Sequence, residues 1–158
     1  MQGNKKVIEQ LNVALSNEMS AVVQYMVQAE MCAGWGYQRL SALTKGRAIE
    51  EMKHAERLIE RVIFLDGTPN VAVPLTPKIG VNVPQQLELD LADEASAVQE
   101  YNEAARICRE AGDAGSKDLF ESLLRDEERH ADFLEAQLHS IKELGIGPYL
   151  AQQMAGGK

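Results

Sequence analysis

The chain has 158 residues and a formal net charge of −8, a length that suits a single domain, residues 1–158, built around one core. The excess of acidic groups argues against nucleic acid and against anionic membrane surfaces as partners. No run approaches the roughly 18 apolar residues of a membrane span, and the N-terminus lacks the apolar core of a signal peptide, so we expect a cytoplasmic protein.

Composition favours helix throughout, since Pro and aromatic residues are few and β-branched runs are short. Apolar residues recur at steps of three and four in four long segments, which predicts four amphipathic helices. The first opens near Asn4, and the others span about 37–65, 84–111 and 116–144. A short fifth helix is expected over 148–154, and the final AGGK, residues 155–158, is expected to fray.

The segment between the second and third helices, residues 66–83, contains three prolines and shows no helical period. We interpret it as an extended connection. Eighteen residues at about 3.3 Å each reach roughly 60 Å, which exceeds the roughly 40 Å length of a 27-residue helix. The connection can therefore cross a whole bundle, and the sequence predicts an all-α four-helix bundle with one long crossover and a short C-terminal fifth helix.

Two short stretches in the second and fourth helices have nearly the same spelling, EEMKHAE at 50–56 and DEERHAD at 126–132. Their offset is 127 − 51 = 130 − 54 = 76. The same offset maps the core stripe of the first helix onto that of the third, residue type for residue type: Leu11 to Leu87, Leu15 to Leu91, Glu18 to Glu94, Val22 to Val98, Tyr25 to Tyr101, Ala29 to Ala105 and Cys32 to Cys108. The chain therefore reads as two related helical hairpins about a pseudo-twofold axis.

Polar residues interrupt these apolar stripes at equivalent places in both halves: Glu18, Glu51 and His54 in the first, Glu94, Glu127 and His130 in the second. Such a cluster is costly to bury unless something compensates its charge. Two divalent cations would balance four carboxylates. One Glu from each of two helices and Glu-x-x-His from each of the others is the ligand set of dinuclear carboxylate sites in bundles. A lone Glu-x-x-His usually lies on a solvated face, but here two copies share one repeat.

Several segments carry a family resemblance over essentially the whole chain: NEMSAVVQY, WGYQRL, IEEMKHAERLIERVIFLDGTPN and LLRDEERHADFLE. The chain resembles the bacterioferritins. The resemblance implies a ferritin-like bundle in which the six residues are ferroxidase ligands, with Glu51 and Glu127 bridging two irons. It also implies a hollow homo-oligomeric shell of 24 subunits that stores ferric mineral, for which a small ferredoxin is a candidate electron donor during iron release.

Met52 lies off the ligand stripe, about 130° from the midpoint of Glu51 and His54 and in line with Ile49, Ile59 and Ile63. This second apolar stripe suggests a subunit interface. Packing in a helix contact would by itself explain a methionine there. The resemblance implies a different role, in which Met52 and its mate from a second subunit bind a b-type haem shared between the two subunits.

Five further positions bear on the predicted site. Asp90 and Asp126, each four residues before a ligand, are candidates to orient the ligand imidazoles. Tyr25 is a candidate source of an extra electron or a hydrogen-bonded core tyrosine. Gly46 and Arg47 stand where some members of the family carry a relay histidine, which leaves the route of iron into the cavity open.

The ligand chemistry suits Fe(II), although Mn and Zn accept similar donors. We expect a ferroxidase that oxidises Fe(II) with O2 or H2O2 for iron storage and detoxification. The alternative is a di-iron peroxidase of the rubrerythrin-like class without a rubredoxin domain, because that domain needs four cysteines and the chain has only Cys32 and Cys108. A purely structural metal site and an oxygen-activating monooxygenase are further alternatives, and His139 is expected at the surface.

Overall fold

The computed structural model describes residues 1–155, which form five α-helices and no strand. The helices are α1 (Lys5–Gly34), α2 (Gln38–Phe64), α3 (Val83–Glu110), α4 (Ala114–Leu144) and α5 (Ile146–Gln153). Residues 156–158 of the predicted frayed end lie outside this described range. Within it, every helix is too short or too polar to span a bilayer.

The starts of α1, α3 and α4 follow from side chains that cap free backbone N–H groups. The Asn4 side chain accepts hydrogen bonds from the amides of Lys6 and Val7. Asn82 and Asp113 cap α3 and α4 in the same way, each through the amide three residues ahead. Between α3 and α4, Gly112 has a φ of 73°, a left-handed conformation that glycine adopts without strain.

The four long helices form the predicted bundle of two hairpins. α1 packs along α2, and α3 packs along α4, each pair joined by a three-residue connection. Residues 65–82 form an extended connection between the hairpins. The predicted fold class, with one long crossover and a short fifth helix, is thus confirmed.

The helix interior is divided into two apolar clusters with a polar layer between them. Along α1 the buried residues run from Val7, Leu11 and Leu15 in one cluster to Cys32 in the other. Along α2 the order is reversed, from Leu40 to Leu58 and Val62. Every long helix contributes to both clusters. The polar residues of the stripes consequently meet at the level where all four helices change from one cluster to the other.

Three details differ from the predictions. α4 begins at Ala114 instead of Ser116, because Asp113 caps it. α5 begins at Ile146 instead of Pro148, and the proline is tolerated as the third residue since the first turn lacks intrahelical partners for its N–H groups. The helical period of α2 predicts Leu43 in the same core stripe as Leu40, but Leu43 is 42% exposed because it lies at the edge of that stripe.

Candidate metal centre

The structure brings all six predicted polar residues into one layer of the bundle interior. Each is at most 3% exposed. α1 and α3 each contribute one glutamate, and α2 and α4 each contribute a glutamate and a histidine one turn apart. The six side chains are Glu18, Glu51, His54, Glu94, Glu127 and His130.

The ligand atoms of these residues fall into two overlapping groups. Glu18, Glu51, His54 and Glu127 each offer one atom to the first group, and these atoms all lie within 4.8 Å of one another. Glu51, Glu94, Glu127 and His130 form the second group by the same criterion. The two groups share Glu51 and Glu127. This is the arrangement in which two carboxylates can bridge a pair of metal ions while each ion also receives one imidazole and one further carboxylate.

The hydrogen bonding of the layer is incomplete in a way that fits metal ions. Six buried side-chain N or O atoms of the described residues lack a hydrogen bond, and five of them belong to these ligands: one oxygen of each glutamate and Nδ1 of His130. That nitrogen lies 3.0 Å from Oε1 of Glu51, yet no hydrogen bond joins them. Because buried polar atoms are nearly always satisfied, these unbonded atoms indicate a site that is completed by a bound cation.

The outward nitrogen of each imidazole is held by an acid from the opposite hairpin. Nε2 of His54 lies 2.9 Å from Oδ2 of Asp126, and Nε2 of His130 lies 2.7 Å from Oε2 of Glu50. When Nε2 carries the proton donated to the acid, Nδ1 presents its lone pair to the metal position. The two acids thus favour the tautomer that a metal ligand requires.

Asp126 therefore lies where the sequence suggested, but the prediction for Asp90 is wrong. Asp90 accepts hydrogen bonds from the amides of Gln24 and Gln28 and holds no imidazole. Glu50 takes the predicted role. The repeat offset could have identified it, because 126 − 76 = 50 places Glu50 opposite Asp126.

Two tyrosines contact the outer carboxylates in the same symmetric manner. The Tyr25 hydroxyl donates to Oε1 of Glu94 at 2.6 Å, and the Tyr101 hydroxyl donates to Oε1 of Glu18. Both rings are buried, and burial together with the nearby carboxylates raises the pKa of each hydroxyl well above its ordinary value. Both remain protonated hydrogen-bond donors at neutral pH. Tyr101 was not singled out from the sequence, although the repeat pairs it with Tyr25.

The acid–base properties of the cluster reflect burial and mutual proximity. Burial and the charge of Glu18 raise the pKa of Glu51 to about 8. Burial also raises the pKa of Glu127 to about 8. Burial alone would lower the pKa of His130, but the carboxylates of Glu127, Glu51 and Glu94 outweigh it and raise that pKa to about 11. Without metal, the cluster therefore retains protons that cations would displace.

A cavity of about 210 Å³ connects this layer to the surface between α1 and α3. Its walls include Glu18 and Glu94 at the inner end. Toward the outside they include Asp93 and, from the crossover, Thr76 and Lys78. The side chain of Lys78 is 62% exposed, so this end of the cavity faces solvent. The metal centre is thus accessible from one side of the bundle.

Comparison with known proteins identifies the family of the chain. Residues 8–144 match the family model described as the ferritin-like domain. Bacterioferritin from Brucella melitensis biotype 1 is 46% identical over 94% of this chain and 92% of that protein. Bacterioferritin from Rhodobacter capsulatus is 43% identical over 92% and 90%, respectively, and that of Mycolicibacterium paratuberculosis is 38% identical over 96% of both chains. The chain belongs to the bacterioferritin family.

This member of the family combines a ferritin-like bundle with a buried cluster of carboxylates and histidines. Met52 lies apart from that cluster, on the outer surface of α2, and is 44% exposed. Ile49 and Ile63 are also exposed, at 43% and 58%. Part of the apolar stripe predicted from the sequence is therefore on the surface of the subunit, whereas Ile59, the fourth member of that stripe, is partly buried and packs against the core.

Proposed function

We propose that the chain is the subunit of an iron-storage protein and that the six-residue centre binds two iron ions and oxidises Fe2+. The observation that carries this proposal is the pair of overlapping ligand groups that share Glu51 and Glu127. Family membership supports iron storage. Two Fe2+ ions match the charge of four carboxylates, and the unbonded carboxylate oxygens and Nδ1 of His130 supply ligand atoms.

Iron, as the substrate, would supply the redox chemistry: two Fe2+ ions give up one electron each, and these two electrons with two protons reduce O2 to H2O2, or H2O2 to two molecules of water. The protein contributes position and charge. Asp126 and Glu50 hold the imidazoles in the ligand tautomer, and the hydroxyls of Tyr25 and Tyr101 orient the outer carboxylates. Because the layer is buried between two apolar clusters, its charges act with little screening by water. Ferric product would pass to a mineral core.

Replacement of a shared ligand tests the ferroxidase proposal. Glu127→Ala should slow rapid aerobic Fe2+ oxidation roughly 100-fold or more, beyond the usual loss from outer-shell changes, while far-UV circular dichroism stays unchanged. Glu128→Ala is the matched control, since Glu128 is the exposed neighbour on the same helix. Stopped-flow oxidation at the parent rate in Glu127→Ala would contradict a centre bridged by this carboxylate.

The proposal extends to a shell of 24 subunits in which Met52 and its symmetry mate bind one b-type haem per two subunits. The exposed apolar stripe beside Met52 supports a subunit contact there. Size-exclusion mass near 24 × 17.4 kDa, with many irons per subunit, would separate storage from a small di-iron peroxidase.

The haem ligand has its own test. Met52→Leu should remove the haem absorbance, and Met52→His should shift it, because the axial ligand sets the haem spectrum. Shell assembly and the initial Fe2+ oxidation should survive both changes, since Ile49 and Ile63 remain and Met52 lies outside the metal centre. Full haem occupancy in Met52→Leu would exclude Met52 as the ligand.

A further inference from the structure

The crossover is attached to α1 by a regular series of hydrogen bonds. The backbone amides of Thr76, Lys78 and Gly80 donate to Ser20 Oγ at 3.1 Å, Gln24 Oε1 at 2.8 Å and Gln28 Oε1 at 3.1 Å, respectively. Two extended residues advance about 6.6 Å, and four helical residues advance about 6 Å. Alternate crossover amides therefore stay in register with every fourth side chain of α1.

Asp90 on α3 fixes the orientation of the two glutamines in this series. Its Oδ1 accepts from Nε2 of Gln24 and from Nε2 of Gln28, both at 2.8 Å. With their NH2 groups directed at Asp90, both amides present their oxygens to the crossover. Asp90 is only 3% exposed, and burial raises its pKa to about 7 against the opposing effect of the glutamine donors. Asp90 is thus a buried acidic residue outside the metal centre, with its hydrogen bonds directed to the glutamines of this series.

The attached segment is part of the wall of the cavity that leads to the metal centre. Thr76 and Lys78 line the cavity together with Ser20 and Gln24. Lys78 Nζ also lies 3.3 Å from Oδ1 of Asp93, and Oδ2 of the same carboxylate accepts from Nε2 of Gln24 at 3.0 Å. The hydrogen bonds that fasten the crossover and the lining of the cavity therefore involve the same residues.

We propose that residues 76–80 form a strap that limits the passage of metal ions to the centre, and that Asp90 is a positioning residue that keeps the strap fastened through Gln24 and Gln28. This role rests on the proposed metal-binding function. It concerns entry and exit of the ion and leaves the ligand set untouched, because Asp90 contacts the strap glutamines and holds no ligand imidazole.

Asp90→Asn is the sharpest variant, since asparagine keeps the shape but puts an NH2 donor in place of Oδ2, which accepts from Nε2 of Gln28 at 3.0 Å. Gln24→Met removes the hydrogen bonds of Gln24 to Asp90 and to the amide of Lys78 and introduces an apolar side chain of similar length. It is the variant to measure if Asp90→Asn does not fold. Gln85→Ala is the matched control: Gln85 accepts from the crossover amide of Val81 at 2.7 Å but does not line the cavity.

The measurements are hydrogen exchange at the amides of Lys78 and Gly80 and stopped-flow binding and chelator-driven release of Co2+ by the full chain. Loss of about one hydrogen bond should accelerate amide exchange, Co2+ loading and Co2+ release about five- to tenfold in Asp90→Asn and Gln24→Met. Saturation at two Co2+ per subunit and the Co2+ spectrum should match the parent. Gln85→Ala should leave the Co2+ rates unchanged.

Faster amide exchange with unchanged Co2+ rates would overturn the strap as a determinant of access. Unchanged exchange at both amides would overturn the role of Asp90 in fastening it. Failure of the parent to bind Co2+ would overturn the metal centre itself, an outcome that is distinct from altered strap behaviour in a chain that binds the ion.

Discussion

The two sides of the metal centre are built differently. Toward α2 and α4, each imidazole is hydrogen-bonded to an acidic side chain. Arg129 lies between these two acids, with Nη2 3.1 Å from Oε2 of Glu50 and 3.4 Å from Oδ1 of Asp126. Toward α1 and α3, neutral tyrosine hydroxyls contact the carboxylates, and a cavity of about 210 Å³ opens to the surface. A nearly symmetric ligand set therefore meets charged groups on the side of α2 and α4, called the charged side, and uncharged tyrosine hydroxyls on the side of α1 and α3, called the neutral side, where the cavity opens.

The largest predicted effect on metal affinity is that of pH, which acts on the ligand residues themselves. The pKa values of Glu51 and Glu127 are raised to about 8 and that of His130 to about 11, so these groups hold protons at neutral pH in the metal-free protein. Metal must displace them, and affinity rises with pH. Release of one proton per ion changes affinity tenfold per pH unit, about 100-fold between pH 8 and pH 6.

Calorimetric titration with Co2+ in two buffers of different ionisation enthalpy measures the released protons directly. Equal apparent enthalpies in the two buffers would mean that no proton leaves, and would contradict a protonated metal-free cluster.

The charged side should show the next largest effect. Asp126→Ala and Glu50→Ala should each lower Co2+ affinity on the order of 10-fold, because the imidazole loses the acceptor that selects its tautomer. Arg129→Gln should have a smaller effect in the same direction, and Arg125→Gln, at an exposed position of the same helix, serves as control. Parent affinity in both acid variants would show that the imidazoles need no such support.

The neutral side should show the smallest effect on binding. Tyr25→Phe and Tyr101→Phe should each change Co2+ affinity about threefold or less. The hydroxyl donates to its carboxylate both with and without metal, so the hydrogen bond contributes little to the difference in free energy between the two states. Iron oxidation separates the two tyrosines. Slower oxidation in Tyr25→Phe alone would support Tyr25 as an electron source, whereas equal behaviour of the pair would support a purely structural role for both.

The sequence was sufficient for the fold and for the convergence of the six polar residues, because both depend on helical periodicity and on the 76-residue repeat. Glu51 and His54 share a helix face by spacing alone, and the repeat supplies their counterparts. The same repeat contains Glu50 and Tyr101. Glu50 lies beside the stripe, next to Glu51, and Tyr101 lies on the stripe as a buried tyrosine commonly does, so neither position by itself indicates contact with a ligand.

Asp90 shows why the remainder could not be predicted. It lies one turn from Glu94 on the correct face of α3, and periodicity correctly places it inside. Its partner depends on the neighbouring helix and on the path of the crossover, neither of which periodicity determines. An extended segment without its own pattern gives no indication that Thr76, Lys78 and Gly80 align with α1.

The short hairpin connections and the long crossover also have a consequence for the order of folding. Contacts within α1–α2 and within α3–α4 close over three-residue loops and are local, whereas contacts between α1 and α3 require closure across the crossover. Local contacts form early and distant ones late. We expect each hairpin to assemble before docking, so that the crossover bonds of Ser20, Gln24 and Gln28 mature in the final phase of refolding.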